Sequence, residues 1–127
     1  MDFLLDTHIL LWWDGGAAEL APAVRTAIGD PSNRVFVSAA SIWEIAIKSG
    51  KGKLTFKGRP SDAIARNSFL ALPIDPRHVE EAGSLKWTHP DPFDRMLVAQ
   101  ARLEGLTLLH ADEAISGFRE VAQLWAR

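Results

Sequence analysis

Short, wholly apolar runs alternate along this chain with longer stretches in which apolar positions recur every three to four residues, the two periods of buried strand and amphipathic helix. Phe3-Leu4-Leu5 predicts a buried strand that stops at Asp6-Thr7, after which Ile9, Leu10, Trp12 and Trp13 return at helical spacing up to Gly15-Gly16. Pro22 opens a second helix through Ile28, and Val35-Phe36-Val37 reads as a second strand. Ser38 or Ser41 caps the next helix, which runs to about Ser49 and closes at Gly50. A basic, glycine-containing connector spans Lys51 to Pro60, helix returns over Ser61 to Phe69, and a short strand follows around Leu70 to Ile74. Pro76 opens another helix to about Leu85. The last elements are a helix over Pro92 to Glu104, a strand Thr107-Leu108-Leu109-His110, a short helix at Glu113 to Ser116 and a strand near Val121 to Trp125.

Alternation of apolar strands with amphipathic helices implies an α/β fold, with a mostly parallel sheet covered on both faces. At 127 residues, without repeat or long linker, the chain is a single domain over 1–127. The five tryptophans, Trp12, Trp13, Trp43, Trp87 and Trp125, are expected to pack in or beside the core.

The stretch His89-Pro90-Asp91-Pro92-Phe93-Asp94-Arg95 sets up the longest helix. Asp91 suits the N-cap and Pro92 the first helical position, where a missing N–H costs nothing. Asp94 then falls in the first turn, on the face of Val98 and Ala101, with Arg95 and Arg102 on the wet side. A half-buried acid is costly unless paired. Either it only complements the helix dipole or it has work to do.

Composition narrows that chemistry. With no cysteine, disulfides, thiolate zinc sites and Cys nucleophiles are all excluded, and a reducing cytosol is favoured. No basic leader or membrane-length apolar run is present, which predicts a soluble, cytoplasmic protein. The formal net charge of −2 argues against a generally basic nucleic-acid coat, yet Lys48, Lys51, Lys53, Lys57 and Arg59 share one window free of acids.

Right-handed crossovers bring strand C-termini and helix N-termini to one edge of a parallel sheet. Asp6, Glu44, Asp94 and Asp112 should all meet there. Each has a local explanation: Asp6 or Thr7 can cap a helix, Ser41-x-x-Glu44 matches a capping box, Glu44 can pair with Lys48, and Asp112 can cap the helix behind it. Together they need a counter-charge, because carboxylates 4 Å apart repel by roughly 4 kcal/mol at an effective dielectric near 20. An all-oxygen donor set favours Mg²⁺ or Mn²⁺, and metal-assisted phosphodiester hydrolysis follows. His8, His78, His89 and His110 are too scattered to spell a zinc site, although His89 and His110 sit near the acidic edge. Gly-x-Ser-x-Gly elbows and glycine-rich phosphate loops are absent.

Four ordered blocks carry a family resemblance: Leu4-Leu5-Asp6-Thr7-His8, the segment from Val37 through Ser41-Ile42-Trp43-Glu44 to Lys48, the segment from Asp91 through Asp94 to Ala101, and Leu109-His110-Ala111-Asp112-Glu113. Over nearly its full length the chain resembles the PIN-domain ribonucleases, and among them the VapC-type toxins of toxin–antitoxin pairs. The resemblance implies an α/β/α sandwich around a parallel sheet, with Asp6, Glu44 and Asp94 as metal-binding catalytic acids, Asp112 as a fourth and Thr7 assisting. It also implies a Mg²⁺- or Mn²⁺-dependent endoribonuclease, a homodimer and inhibition by a cognate antitoxin. Lys48, Lys51, Lys53 and Arg95 are then candidate RNA contacts. One departure concerns the fourth acid, because many relatives carry Thr or Ser two residues before it, where this chain has His110. Two other readings remain open at this point: a phosphatase or phosphotransfer domain acting through Asp6, and a non-catalytic RNA- or protein-binding module.

Overall fold

In the computed structural model, which describes Met1 to Arg127, strand β1 (Asp2–Leu5) is the axis of the fold. Leu4 and Leu5 are fully buried. Side chains alternate across a strand, so Phe3 and Leu5 enter one apolar cluster and Leu4 the other. The remaining elements are α1 (Thr7–Gly15), α2 (Pro22–Gly29), β2 (Arg34–Ser38), α3 (Ala39–Gly50), α4 (Asp62–Arg66), β3 (Leu70–Leu72), α5 (Pro76–Ser84), α6 (Pro92–Glu104), β4 (Thr107–His110), α7 (Glu113–Ser116) and β5 (Gln123–Trp125). The five strands pair in the order β3-β2-β1-β4-β5, and every pairing is parallel.

One core cluster packs Ile9, Leu10, Val24, Ile28 and Ile45 from α1, α2 and α3 against the sheet; the other packs Leu97, Val98, Ala101 and Ile115 from α6 and α7. The result is the expected α/β/α sandwich. The chain leaves β1 toward β2 and β3 and returns on the other side to β4, so connections diverge above β1 and β4. Ligand crevices in open parallel sheets form at such a switch point, outside the strand C-termini.

Three expectations are decided or corrected. Of the two candidate caps Ser38 caps α3, its hydroxyl accepting from the N–H of Ala40, so Ser41-x-x-Glu44 is not a capping box and Ser41 is buried in the first turn. The helix expected over Ser61–Phe69 is shorter, because Ser68 adopts a left-handed φ of 58° that ends it before β3. The tryptophans are not a core set. Trp12, Trp13 and Trp87 are half-buried, whereas Trp43 is 62% and Trp125 43% exposed. Trp43 faces outward because Glu44 and Ile45 take the inward face of α3, which lies about 150° around the helix from it.

Candidate active site

Each acid reaches the switch point by a different local device. Asp6 follows β1 directly and caps α1, accepting from the N–H of Thr7 at 2.8 Å, while its own N–H donates to the Leu109 carbonyl of β4. Glu44 projects from the second turn of α3 and is buried. The Thr7 hydroxyl donates to Glu44 Oε1 at 2.6 Å and lies 3.0 Å from Ser41 Oγ, and Lys48 Nζ holds Oε2 at 2.8 Å. Asp91 caps α6 by accepting from the N–H groups of Phe93 and Asp94, so Asp94 stands in the first turn of that helix. Asp112 caps the four-residue α7.

These acids act on one another through their charges, although at this edge only His89, Asp91 and Asp94 bring donor atoms within 4.8 Å of each other. Asp6 is pushed up to about 7, first by burial and then by the charges of Asp94, Glu44 and Asp112, against the lowering effect of the Thr7 N–H. Asp94 is pushed up to about 6, again mainly by burial, with Asp91 and Asp112 adding to the shift and the His89 hydrogen bond opposing it. Lys48 is also raised, first by its hydrogen bond to Glu44 and further by the charges of Glu44, Asp91 and Asp6, which hold it in its charged form. Two buried carboxyls with midpoints near neutrality are a site short of positive charge. Oxygen donors with one imidazole at the margin, and no thiolate, suit a hard divalent cation. The tightest ligand-like grouping at this edge is His89, Asp91 and Asp94, whose donor atoms lie within 4.8 Å of one another.

Several side chains stand differently from expectation. Arg95, expected on the wet side and as an RNA contact, is half-buried and donates to four backbone carbonyls, those of Ala82, Leu85, Trp87 and His89. Its guanidinium is consumed by the loop before α6. The second turn of α6 faces that loop, a placement that helical spacing alone does not reveal. Lys51 and Lys53 are exposed beyond the end of α3, where Lys48 leads back to Glu44.

His110, the departure two residues before the fourth acid, is buried and engaged at both ring nitrogens. Its buried ring accepts the Asp112 N–H at Nδ1 (3.1 Å) and lies 2.7 Å from Gln123 Oε1 through Nε2, and burial lowers its pKa. A neutral ring that accepts at Nδ1 and donates at Nε2 fits both partners. Asp112 is oriented by this bond.

Two buried polar residues tie the elements together in ways the sequence did not suggest: Ser41, considered only as a cap, lies beside Thr7, and Gln100 on α6 was passed over. Gln100 Oε1 accepts from the Ser38 hydroxyl at 2.5 Å and its amide donates to the Pro73 carbonyl, linking the cap of α3 to the β3–α5 connection. The available signal was a glutamine among the buried positions Leu97, Val98, Ala99 and Ala101.

A family model described as the PIN domain matches residues 3–124. Similar solved structures include the VapBC2 complex of Rickettsia felis bound to a DNA fragment from its promoter (14% identity, TM-score 0.68, 98% of each chain covered). DNA-bound VapBC from Salmonella typhimurium is 17% identical, with a TM-score of 0.68 over 98% of this chain and 97% of that one. A toxin–antitoxin complex from Klebsiella pneumoniae is 19% identical, with a TM-score of 0.67 over 97% and 96%. A search of curated proteins returns no match. These structural likenesses agree with the all-parallel five-stranded sheet, and the family model spans every element from β1 to β5. The chain belongs to the PIN-domain family.

Proposed function

We propose that this PIN domain is a metal-dependent endoribonuclease that acts as the toxin of a toxin–antitoxin pair. One observation carries the reading: acids from four separate parts of the chain act on one another, and burial together with the charges of Asp94, Glu44 and Asp112 raises Asp6 to about 7. Folding that charge together is unfavourable unless the site receives a cation. Asp6, Glu44 and Asp94 would hold Mg²⁺ or Mn²⁺, with Asp112 as a fourth acid. When bound, such an ion supplies Lewis acidity toward the scissile phosphate and offsets the charge that develops on it. Thr7 fixes one oxygen of Glu44. Lys48, 2.8 Å from Glu44 Oε2, would offer its ammonium to a phosphate oxygen, and Lys51 and Lys53 would extend the positive charge available to approaching RNA.

The partner reading rests on the titles of the similar structures, which are toxin–antitoxin complexes; a cognate antitoxin is proposed for this chain on that basis. No helix is long and apolar enough to cross a membrane. The reading places the protein in the cytoplasm with its RNA. A second copy is proposed against α3, whose solvent face carries Ala39, Trp43, Ala46 and Gly50 without a charge. Trp43→Glu should then shift elution in size-exclusion chromatography from dimer to monomer, and an unchanged elution volume would refute this face.

The decisive experiment maps 5′ ends of cellular RNA after induction of wild type and of Asp94→Asn, alongside cleavage by the purified proteins with Mg²⁺ or Mn²⁺. Wild type should generate new ends and the variant none. Equal cleavage by both would overturn the assignment.

A further inference from the structure

The loop between α5 and α6 is short, irregular and held from three sides. Arg95 reaches back from α6 and donates to the carbonyls of Leu85, Trp87 and His89, at 2.9, 2.6 and 3.1 Å, and to Ala82 in the last turn of α5 at 2.9 Å. The Trp87 ring lies between Phe118, at 5.0 Å, and the His89 imidazole, at 4.8 Å. Asp91 ends the loop as the N-cap of α6. Ordering exposed backbone costs conformational entropy. A single guanidinium that satisfies three loop carbonyls and one of α5 therefore holds the loop in one conformation.

What that conformation delivers is His89 Nε2, 2.7 Å from Asp94 Oδ2. No other side chain donates to Asp94, and its Oδ1 accepts no hydrogen bond from the protein. The imidazole is only 23% exposed and the carboxylate 13%, so the bond is shielded from competing water. Carboxylates and imidazoles that ligate metals are commonly oriented by such outer partners, and loss of the partner typically weakens metal binding 10- to 100-fold.

We propose that His89 is a positioning residue for Asp94: donation from Nε2–H fixes the carboxylate's rotamer through Oδ2 and leaves Oδ1 for the cation, with the Arg95-bracketed loop as the device that presents the ring. The inference rests on the metal-binding reading of the acidic edge and adds to it a residue outside the four acids. With Nε2 2.7 Å from a carboxylate oxygen, the tautomer that fits the pair carries its N–H at Nε2.

The test is calorimetric titration of Mn²⁺ into wild type, His89→Ala and His89→Gln, with thermal melts to show that each is folded. A glutamine can place an amide N–H close to where Nε2–H stands. His89→Ala should weaken Mn²⁺ binding by about tenfold and lower kcat for RNA with little change in KM, and His89→Gln should recover most of both. Arg95→Lys, which loses the fork but keeps the charge, should weaken Mn²⁺ binding in the same direction, and adding His89→Ala to it should cost little more. Equal Mn²⁺ affinity in wild type and His89→Ala overturns the proposal. Equal weakening in the alanine and glutamine variants also overturns it, since it would make His89 a ligand instead of an orienting donor. A wild type that binds no Mn²⁺ removes the metal reading of the edge and this inference with it.

Discussion

Helix α6 carries a histidine–carboxylate pair at each end, and the two pairs have opposite electrostatic surroundings. At the N-terminal end His89 meets Asp94 at 2.7 Å, and at the C-terminal end buried His78 meets Glu104 at 2.9 Å, with Asp75 close by. Arg77 bonds both Asp75 and Glu104, and the two acids are lowered, Asp75 first by Arg77 and Glu104 first by the His78 hydrogen bond. Asp94 has no arginine. Its neighbours are Asp91, Asp112 and Asp6, and it rises to about 6. Local geometry alone would class both clusters as possible cation sites. Charge balance separates them: the Glu104 end is complete within the protein, and the Asp94 end requires something from outside.

The largest expected effect breaks that comparison by neutralising one acid at each end. Asp94→Asn should reduce metal-dependent RNA cleavage by on the order of 10³-fold or more while leaving the melting temperature of the metal-free protein unchanged or higher. Glu104→Gln should do the reverse, with cleavage near wild type and a lower melting temperature, because His78 and Arg77 lose a charged partner. Cleavage assays and thermal melts on the same preparations give both readouts. Loss of activity in Glu104→Gln with no loss of stability would place function at the wrong end of α6.

The two ends also respond oppositely to pH. A carboxyl whose folded midpoint exceeds its unfolded value near 3.9 opposes folding above that midpoint, and the penalty fades as the pH falls. Asp6, at about 7, and Asp94, at about 6, are of this kind. Asp75 and Glu104 are lowered, so their stabilisation is present above the unfolded carboxylate range and is lost as acid protonates them. Metal-free protein should therefore gain stability from pH 8 to about 5, by on the order of 2 kcal/mol from Asp6 alone, and lose it again below about 4. Denaturant melts across this range check the curve. Asp6→Asn should flatten the neutral limb and leave the acid limb in place, and saturating Mn²⁺ should restore stability at pH 8. A metal-free protein most stable at pH 8 would contradict the repulsive edge.

This contrast explains what the sequence made legible. Apolar runs and caps give the fold nearly element by element, because Asp91-Pro92 and Gly105 fix α6 by local chemistry and Phe3-Leu4-Leu5 can only be a buried strand. Asp6, Glu44, Asp94 and Asp112 could be brought together on paper because parallel topology sends strand ends and helix starts to one edge. Arg95 could not be placed, since three of its four acceptors belong to a loop whose path no periodicity encodes. Trp43 misleads for a related reason: hydrophobicity suggests burial, but Glu44 holds the inward position of α3, and a site that buries acids turns an aromatic outward. The His78 and His89 clusters differ through Arg77, whose second partner, Glu104, is distant in sequence, and through the acids around Asp94 that other elements supply.

The smallest expected effect concerns charge that touches neither carboxylate. Lys51 and Lys53 are exposed past the C-terminus of α3, the helix that carries Glu44, and Arg77 is the exposed cation at the Glu104 end of α6. Single-stranded nucleic acid releases about 0.7 counterion per neutralised phosphate. In an Asp94→Asn background, where RNA can bind without being cut, Lys51→Ala with Lys53→Ala should make the slope of log affinity against log salt shallower by about 1.4. Affinity itself should fall only a few-fold at moderate salt, since exposed lysines steer more than they anchor. Arg77→Ala should leave the slope unchanged, being already committed to Asp75 and Glu104. Fluorescence anisotropy of a labelled single-stranded RNA over a salt series measures both variants. Equal slopes in the lysine and arginine variants would mean that RNA does not approach the acids along α3.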